Sequence, residues 1–310
     1  MTQTIAQESG PVAVVQPSSP ARHAPQYGVL SQALDFTMNL RSHFVLSRWL
    51  RELGALNSAD FYDGVRYRYL RKYYLGGGFN IPHRLRVAIN HHQQVAQHFR
   101  TGFLTATNRH GGHTLWKQRT GAASLSMALR FPYRYNFDGD LCLTLNVNST
   151  DACILTFSIV PGEVAGVSAA QALLVSSVQG IAGSIDRIRL ATEECNNVSP
   201  AHLLLMAAET LAMAIGIKVL AGIGQSHMPR MTDTVAQKKL FDYDAFWAPL
   251  VGAEAPQHFY HMALPFADKP IEAIPAKHRG RARKRRELRN LIRHDIQAQA
   301  SAVLARDCLR

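Results

Sequence analysis

Between Leu141 and Val147 apolar and polar positions alternate: Leu141, Leu143, Leu145 and Val147 share one side, and Cys142, Thr144 and Asn146 the other. That two-residue period predicts a half-buried strand. Asn148-Ser-Thr-Asp151 has turn composition, and Cys153 to Val160 resumes the alternation, with Leu155, Phe157 and Ile159 set against Thr156 and Ser158, so a meander is predicted. Pro161-Gly162 and the Gly/Ser stretch to Ser168 interrupt the chain before a third apolar run, Ala172 to Val178. It ends in Gln179-Gly180-Ile181-Ala182-Gly183-Ser184, where two glycines admit backbone conformations that other residues resist.

The period then changes. Ser199 is a good N-cap, Pro200 suits the first helical position, and Gly216 supplies a stop. From Leu203 to Ile215 nearly every residue is apolar, which predicts a core helix. It is short for a membrane span and interrupted by Glu209. Lys218 to Ile223 predicts another strand, ending at Gly224-Gln225-Ser226-His227. Upstream, residues 1–27 are rich in Gln, Ser, Pro and Ala and read as a disordered leader. Helical patterns follow over Leu34 to Leu53, Val65 to Tyr74 and Pro82 to Phe99. In the second, Tyr67, Tyr69, Tyr73 and Tyr74 interleave with Arg66, Arg68, Arg71 and Lys72, a pattern that fits a core face or a stacking surface.

The 310 residues carry 34 Lys and Arg against 22 Asp and Glu, a net charge of +12, and the excess is concentrated. Between Lys277 and His294 stand nine Lys/Arg and one acid, Glu287. Leu288, Leu291, Ile292 and Ile296 recur there at helical spacing, so an amphipathic basic helix is predicted. Such a helix binds nucleic acid, lies on an anionic membrane, or packs its apolar stripe on the domain with its charges solvated. The four cysteines, Cys142, Cys153, Cys195 and Cys308, show no C-x-x-C spacing and are predicted to be free thiols. The first residues lack the basic start and apolar core of a secretory signal, so a cytoplasmic protein is expected, with the inner-membrane surface as a peripheral location.

Candidates for chemistry are few. His91-His92 are adjacent and point about 100° apart on a helix; His110 and His113 flank two glycines without a nearby Cys or carboxylate, and no metal site is predicted. G-x-S-x-G, Walker A and G-x-G-x-x-G sequences are absent. His227 stands just past the end of a predicted strand, where open α/β sheets place ligands, and is a candidate general base.

Several segments taken together resemble one family: Val178-Gln179-Gly180, Thr192-Glu193 to Pro200, Leu203 to Leu205, Leu211-Ala212 to Gly216, Gly222 to His227, Phe241 to Trp247 and Pro270 to Arg286. With Asp138-Gly139-Asp140-Leu141 and His91-His92 as earlier landmarks, the chain resembles the VirK/YbjX proteins, the DUF535 family, over residues 35–295. The resemblance implies a link to bacterial virulence, envelope stress and resistance to antimicrobial peptides, without a settled biochemical activity.

A looser resemblance is to the GNAT acyltransferase core: three meander strands, a Gln/Gly loop, a helix, a strand, an aromatic helix and a last strand near Phe259 to Leu264. It implies that Gln179, Gly180, Gly183 and Ser184 hold the pyrophosphate of acyl-CoA at a helix N-terminus. Trp247 stands where that family has its general-acid tyrosine, and indole only donates, so Tyr243 or His227 would serve. The predicted fold class is α+β: a leader (1–27), a helical N-terminal region (28–135), a GNAT-like mixed sheet with flanking helices (136–275) and the basic C-terminal helix (276–310). Two functions follow. One is an acyltransferase using acyl-CoA or an acyl carrier thioester and an amine or hydroxyl acceptor. The other is a non-catalytic envelope-associated factor that binds anionic lipid through Lys277, Arg279, Arg283, Lys284, Arg285 and Arg286, with nucleic acid a third partner class.

Overall fold

The computed structural model describes residues 29–53, 65–71, 74–100, 103–104, 107, 112–132, 138–228, 241–251 and 259–305, with side chains from residue 34 onward. The leader, His110 and Cys308 lie outside them. The chain is α+β, as the sequence predicts. Helices α1 (Val29–Met38), α2 (Leu40–Glu52) and α3 (Ile81–His98) come first. Strands β1 (His113–Arg119), β2 (Ser124–Arg130), β3 (Leu141–Val147), β4 (Thr150–Pro161) and β5 (Gln171–Gly180) follow. Then come α4 (Ile185–Glu194), α5 (Pro200–Ala214), β6 (Val219–Ile223), α6 (Tyr243–Val251), β7 (Phe259–Ala263) and α7 (Ala276–Val303).

The seven strands form one sheet in the order β1-β2-β3-β4-β5-β6-β7, antiparallel throughout except for the parallel pair β5–β6. The β3–β4 turn has positive φ at both Asn148 (50°) and Ser149 (64°), a conformation that asparagine tolerates and that suits the twist of a hairpin. Register then follows directly, with Leu143 opposite Leu155 and Leu145 opposite Cys153. A parallel neighbour requires a crossover, and α4 and α5 supply it between β5 and β6.

Strand β3 is buried at every position, Thr144 and Asn146 included, so its alternating pattern does not mark a solvent face. Both faces are covered: α3 and α5 each pack on β4 with no extensive contact between them, which fits helices on opposite sides of a sheet whose β3 is buried at every position. Helix α5 begins at Pro200 as predicted, although the Ser199 hydroxyl pairs with His202 Nδ1 at 2.8 Å and makes no capping bond. It stops at Gly216 (φ 79°), where Ile217 N donates to Ala212 O. The stripe Leu288, Ile292, Ile296, Ala300 and Val303 of α7 is buried against α5 and β1. One continuous buried cluster runs from Leu46 to Leu304.

Three expectations are corrected. The pattern from Leu34 to Leu53 is two helices broken at Asn39. Val65 to Tyr74 is not a continuous helix: Val65 and Arg66 are helical and Arg68–Leu70 form a separate 3-10 turn, with Arg68 and Tyr74 both turned inward to the same buried carboxylate, while Lys72 and Tyr73 lie outside the described residues. Strands β1 and β2 lie inside the stretch expected to be helical and extend the same sheet. Helix α4 is a further element that the sequence patterns do not predict. Among the described residues no helix is long and apolar enough to cross a membrane.

Candidate functional site

Strand β5 pairs with β6 only over Leu173 to Val175, opposite Leu220 to Gly222, and then continues to Gly180 on β4 alone. A slip in the β4 register between Thr156 and Phe157 bends β5 at Ser176, where the strands part. Beyond that point Val178 turns an N–H and a C=O toward the opening. Tyr243 from α6 satisfies both: its hydroxyl accepts from Val178 N at 3.2 Å and donates to Val178 O at 3.1 Å. Burial pushes this phenol up to about 12. Trp247, one turn later, is fully buried, donates from Nε1 to Ile223 O at 3.0 Å, and lies on Gly222. A Cβ at Gly222 would sit 2.4 Å from the indole, which is why glycine stands there.

The loop above this opening is also packed. Ile188 covers Gly180 closely enough that a Cβ would fall 2.8 Å from its Cδ1. The buried Ser184 hydroxyl lies 2.8 Å from Ala152 O and 2.5 Å from Ile181 O. Gly183 (φ 74°) faces open space, Gln179 is half-buried, and Asp186 occupies the first turn of α4. An acid at a helix N-terminus already complements the dipole that would favour a phosphate.

His227 closes the 3-10 turn Gln225–His227. Its carbonyl accepts from Gly77 N at 2.7 Å, its ring lies against Gly78, and the Phe259 ring lies beside it, tilted by 30° with centroids 5.7 Å apart. Gln225 joins this turn to α6: its N–H donates to Asp244 Oδ1 at 2.9 Å and its Oε1 accepts from Tyr243 N at 3.2 Å. The structure thus brings His227 and Tyr243 to the same end of β6, but Tyr243 is turned into the strand and His227 onto the glycine loop.

A constellation that sequence reasoning left unassembled lies deeper. Asp140 is 2% exposed and its Oδ2 accepts from Tyr74 Oη and Ser158 Oγ, each at 2.7 Å. Arg68 Nη1 stands 3.5 Å from Asp140 Oδ1 and donates to Gly139 O at 2.6 Å. His91 Nδ1 accepts from Ile159 N at 3.1 Å, and His92 Nδ1 donates to Ala88 O at 2.7 Å. Burial lowers His91 to about 3 and holds it neutral. For Asp140 burial acts upward, yet the Arg68 guanidinium and the hydrogen bond from the Tyr74 hydroxyl hold the carboxyl below its ordinary value. His91-His92 and Asp140 were visible as landmarks; nothing in the spacing tied them to Arg68, Tyr74 or Ser158.

The basic helix divides into two sets. Arg279 donates to Ile274 O and Glu272 O, Arg285 to Asn196 O and Asn197 O, Arg286 to Lys269 O, Arg289 to Asp268 and Arg293 to Glu209. These five anchor α7 to the body. Lys277, Arg281, Arg283 and Lys284 are exposed on its first turns. Of the six cations read as an anion site, Lys277, Arg283 and Lys284 therefore face solvent, while Arg279, Arg285 and Arg286 bind chain carbonyls. An open groove of about 520 Å³ lies between α2 and the outer face of α3, bordered by Asn39, Ser42, Arg86, Ile89 and Pro161.

Among the described residues no group of three or more His, Cys, Asp or Glu is arranged to hold a metal ion. Cys142, Cys153 and Cys195 are free and buried, and burial raises their thiols to about 12, 12 and 11.

No solved structure matches the chain. Two uncharacterised proteins of Haemophilus influenzae are similar to it, one 29% identical over 116 residues and the other 28% identical over 127. These matches cover 37% and 40% of this chain and 39% and 43% of the relatives, so the chain spans about two-fifths of their length. Residues 58–298 match the family described as a protein of unknown function (DUF535), which includes VirK/YbjX, and this match takes in the Asp140 network, the β5–β6 opening and most of α7. The chain belongs to the DUF535 family.

Proposed function

We propose that this protein is a non-catalytic factor that binds anionic lipid surfaces through the exposed first turns of α7. The observation that carries the reading is the division of the nine cations: five fix the helix to the body, and Lys277, Arg281, Arg283 and Lys284 are held out from it. A cation cluster on an anchored helix needs little ordering on binding, and each Lys or Arg near an anionic bilayer is worth about 1 kcal/mol. Four together supply about 4 kcal/mol by that rule. Contact of this kind suits the envelope stress, virulence and antimicrobial-peptide links that the VirK/YbjX resemblance implies.

The test is vesicle co-sedimentation at low and high salt. Wild type should bind vesicles containing phosphatidylglycerol, release them as salt rises, and ignore pure phosphatidylcholine. The quadruple variant Lys277→Gln, Arg281→Gln, Arg283→Gln and Lys284→Gln should fold normally and lose most of the affinity. Equal binding by the variant, or stronger binding to nucleic acid than to lipid, sinks the reading. Deletion of the helix is not a clean test, because Leu288, Ile292 and Ile296 belong to the core.

A second reading, an acyl-thioester site with Gln179, Gly180, Gly183 and Ser184 as its loop and His227 and Tyr243 as its acid–base pair, is favoured by the parting of β5 and β6 after Val175. It requires α6 to withdraw Tyr243 and Trp247 from the opening. Calorimetric titration with CoA and acyl-CoA, repeated on Gly183→Asp, separates the two: saturable binding abolished by the substitution favours this reading, and no binding by the folded wild type favours the first.

A further inference from the structure

Eight large apolar side chains among the described residues are well exposed, and five of them fall between Leu34 and Val45. Leu34 (61% exposed), Met38 (77%) and Phe44 (59%) lead, with Leu40 and Val45 beside them. The remaining three, Ile185, Met213 and Leu291, lie on separate helices. Helix α2 consequently has two apolar faces. Its inner one, with His43, Leu46 and Leu50, is packed on α3; its outer one has no described cover. On that outer face Leu40, Phe44 and Val45 alternate with Arg41, Arg48 and Arg51, all exposed. A surface helix ordinarily carries polar residues there, and a concentrated apolar patch marks a contact.

We propose that the outer face of α1–α2 inserts shallowly into an anionic bilayer and supplies the apolar half of the lipid contact, an inference that rests on the function proposed above. Apolar side chains and long arginine stems share this face: the stems of Arg41 and Arg51 suit the acyl boundary with their guanidinium groups at the headgroups, while Arg48 is paired with the exposed Glu52 at 2.8 Å. Charge selects the partner. A chain of net charge +12 repels a second copy of itself and is drawn to an anionic surface. The two halves of the contact border the same end of the sheet from its two faces, α2 outside α3 and α7 on α5. Asn39, which precedes α2, and Ser42 of α2 line the groove with Pro161 at the end of β4. Pro161 pairs with Gln171, Leu173 with Leu220 and Val219 with Ala263, so Pro161 and Ala263 share that end; Asp268 and Lys269 just beyond β7 anchor Arg289 and Arg286 of α7.

Trp49 of α2 provides the probe, being half-buried while Trp116 and Trp247 are 2% and 0% exposed. The full chain is titrated with phosphatidylglycerol/phosphatidylcholine vesicles whose acyl chains are brominated. Quenching of wild-type fluorescence that disappears in Trp49→Phe is expected. So is binding weakened on the order of tenfold or more in Met38→Ser/Phe44→Ser/Val45→Ser, with salt dependence retained and circular dichroism unchanged. Salt-sensitive binding without Trp49 quenching, and with the triple variant equal to wild type, overturns this inference while leaving the α7 reading intact. Quenching that persists in the α7 quadruple variant supports insertion by α2 and counts against the α7 reading alone. A concentration-dependent dimer abolished by the triple variant, with no vesicle binding, overturns the lipid assignment in favour of a second copy.

Discussion

Replacing Asp140 with asparagine preserves the shape of the side chain and removes its charge from a site that water does not reach. The carboxylate is 2% exposed, accepts two hydroxyl bonds of 2.7 Å, and is the anion facing the buried Arg68 guanidinium. Removing one member of such a pair leaves the other charge in a low dielectric, a loss of about 3–5 kcal/mol. Ser158→Ala, which deletes one bond to the same carboxylate and leaves the charge in place, should cost about 1.5–3 kcal/mol. The double variant Arg68→Met/Asp140→Leu should lose less than the sum of its single changes, because neither charge is then stranded. Urea unfolding followed by far-UV circular dichroism measures these variants together with the single changes Arg68→Met and Asp140→Leu. A loss below about 1 kcal/mol for Asp140→Asn, or strict additivity in the double variant, would refute the claim that this network is a charged keystone linking the 3-10 turn to β3 and β4.

The buried imidazoles make stability acid-labile. His91 is lowered to about 3 by burial and His43 to about 4 by burial and then Arg66, so below their unfolded value the unfolded chain takes up protons that the fold refuses. Stability should be complete above the unfolded value near 6.5 and decline as pH falls toward 4 and then 3, with Asp140 adding to the loss as pH falls through its lowered value. Urea midpoints measured across this range should show the slope, and His91→Asn should flatten it; a pH-independent midpoint from neutral to mildly acidic solution would contradict the assignment. Tyr243→Phe strands the Val178 N–H and C=O in a buried position and should cost about 1–3 kcal/mol. Hydrogen exchange should locate the change at Val178 and its neighbours on β5, and unaltered protection there would mean that the hydroxyl does not close the opening.

The strands from Leu141 to Gly180 and the helix from Pro200 were legible in the sequence because local signals agree there: a two-residue period, a turn-forming Asn148-Ser149, Pro at a helix start and Gly216 at its end. The α+β class followed from those elements. The amphipathic basic helix was likewise visible in its charges and apolar spacing. What the spacing did not fix was direction. Thr144 and Asn146 alternate as if one side of β3 were wet, yet both are buried, because whether a polar face meets water depends on the helix laid across it. The nine cations of α7 look alike in sequence, and only their neighbours divide them into five that anchor the helix and four that face solvent. Likewise Asp140 lies far along the chain from Arg68, Tyr74 and His91, and a buried charge network is held by distance in space, which no local pattern encodes. The sequence determined the strands from Leu141 to Gly180, the core and basic helices and the family; the tertiary structure added β1, β2 and α4 and decided which side chains are enclosed, that α6 closes the β5–β6 opening, and which cations and apolar groups remain outward, because burial and pairing arise only when distant segments meet.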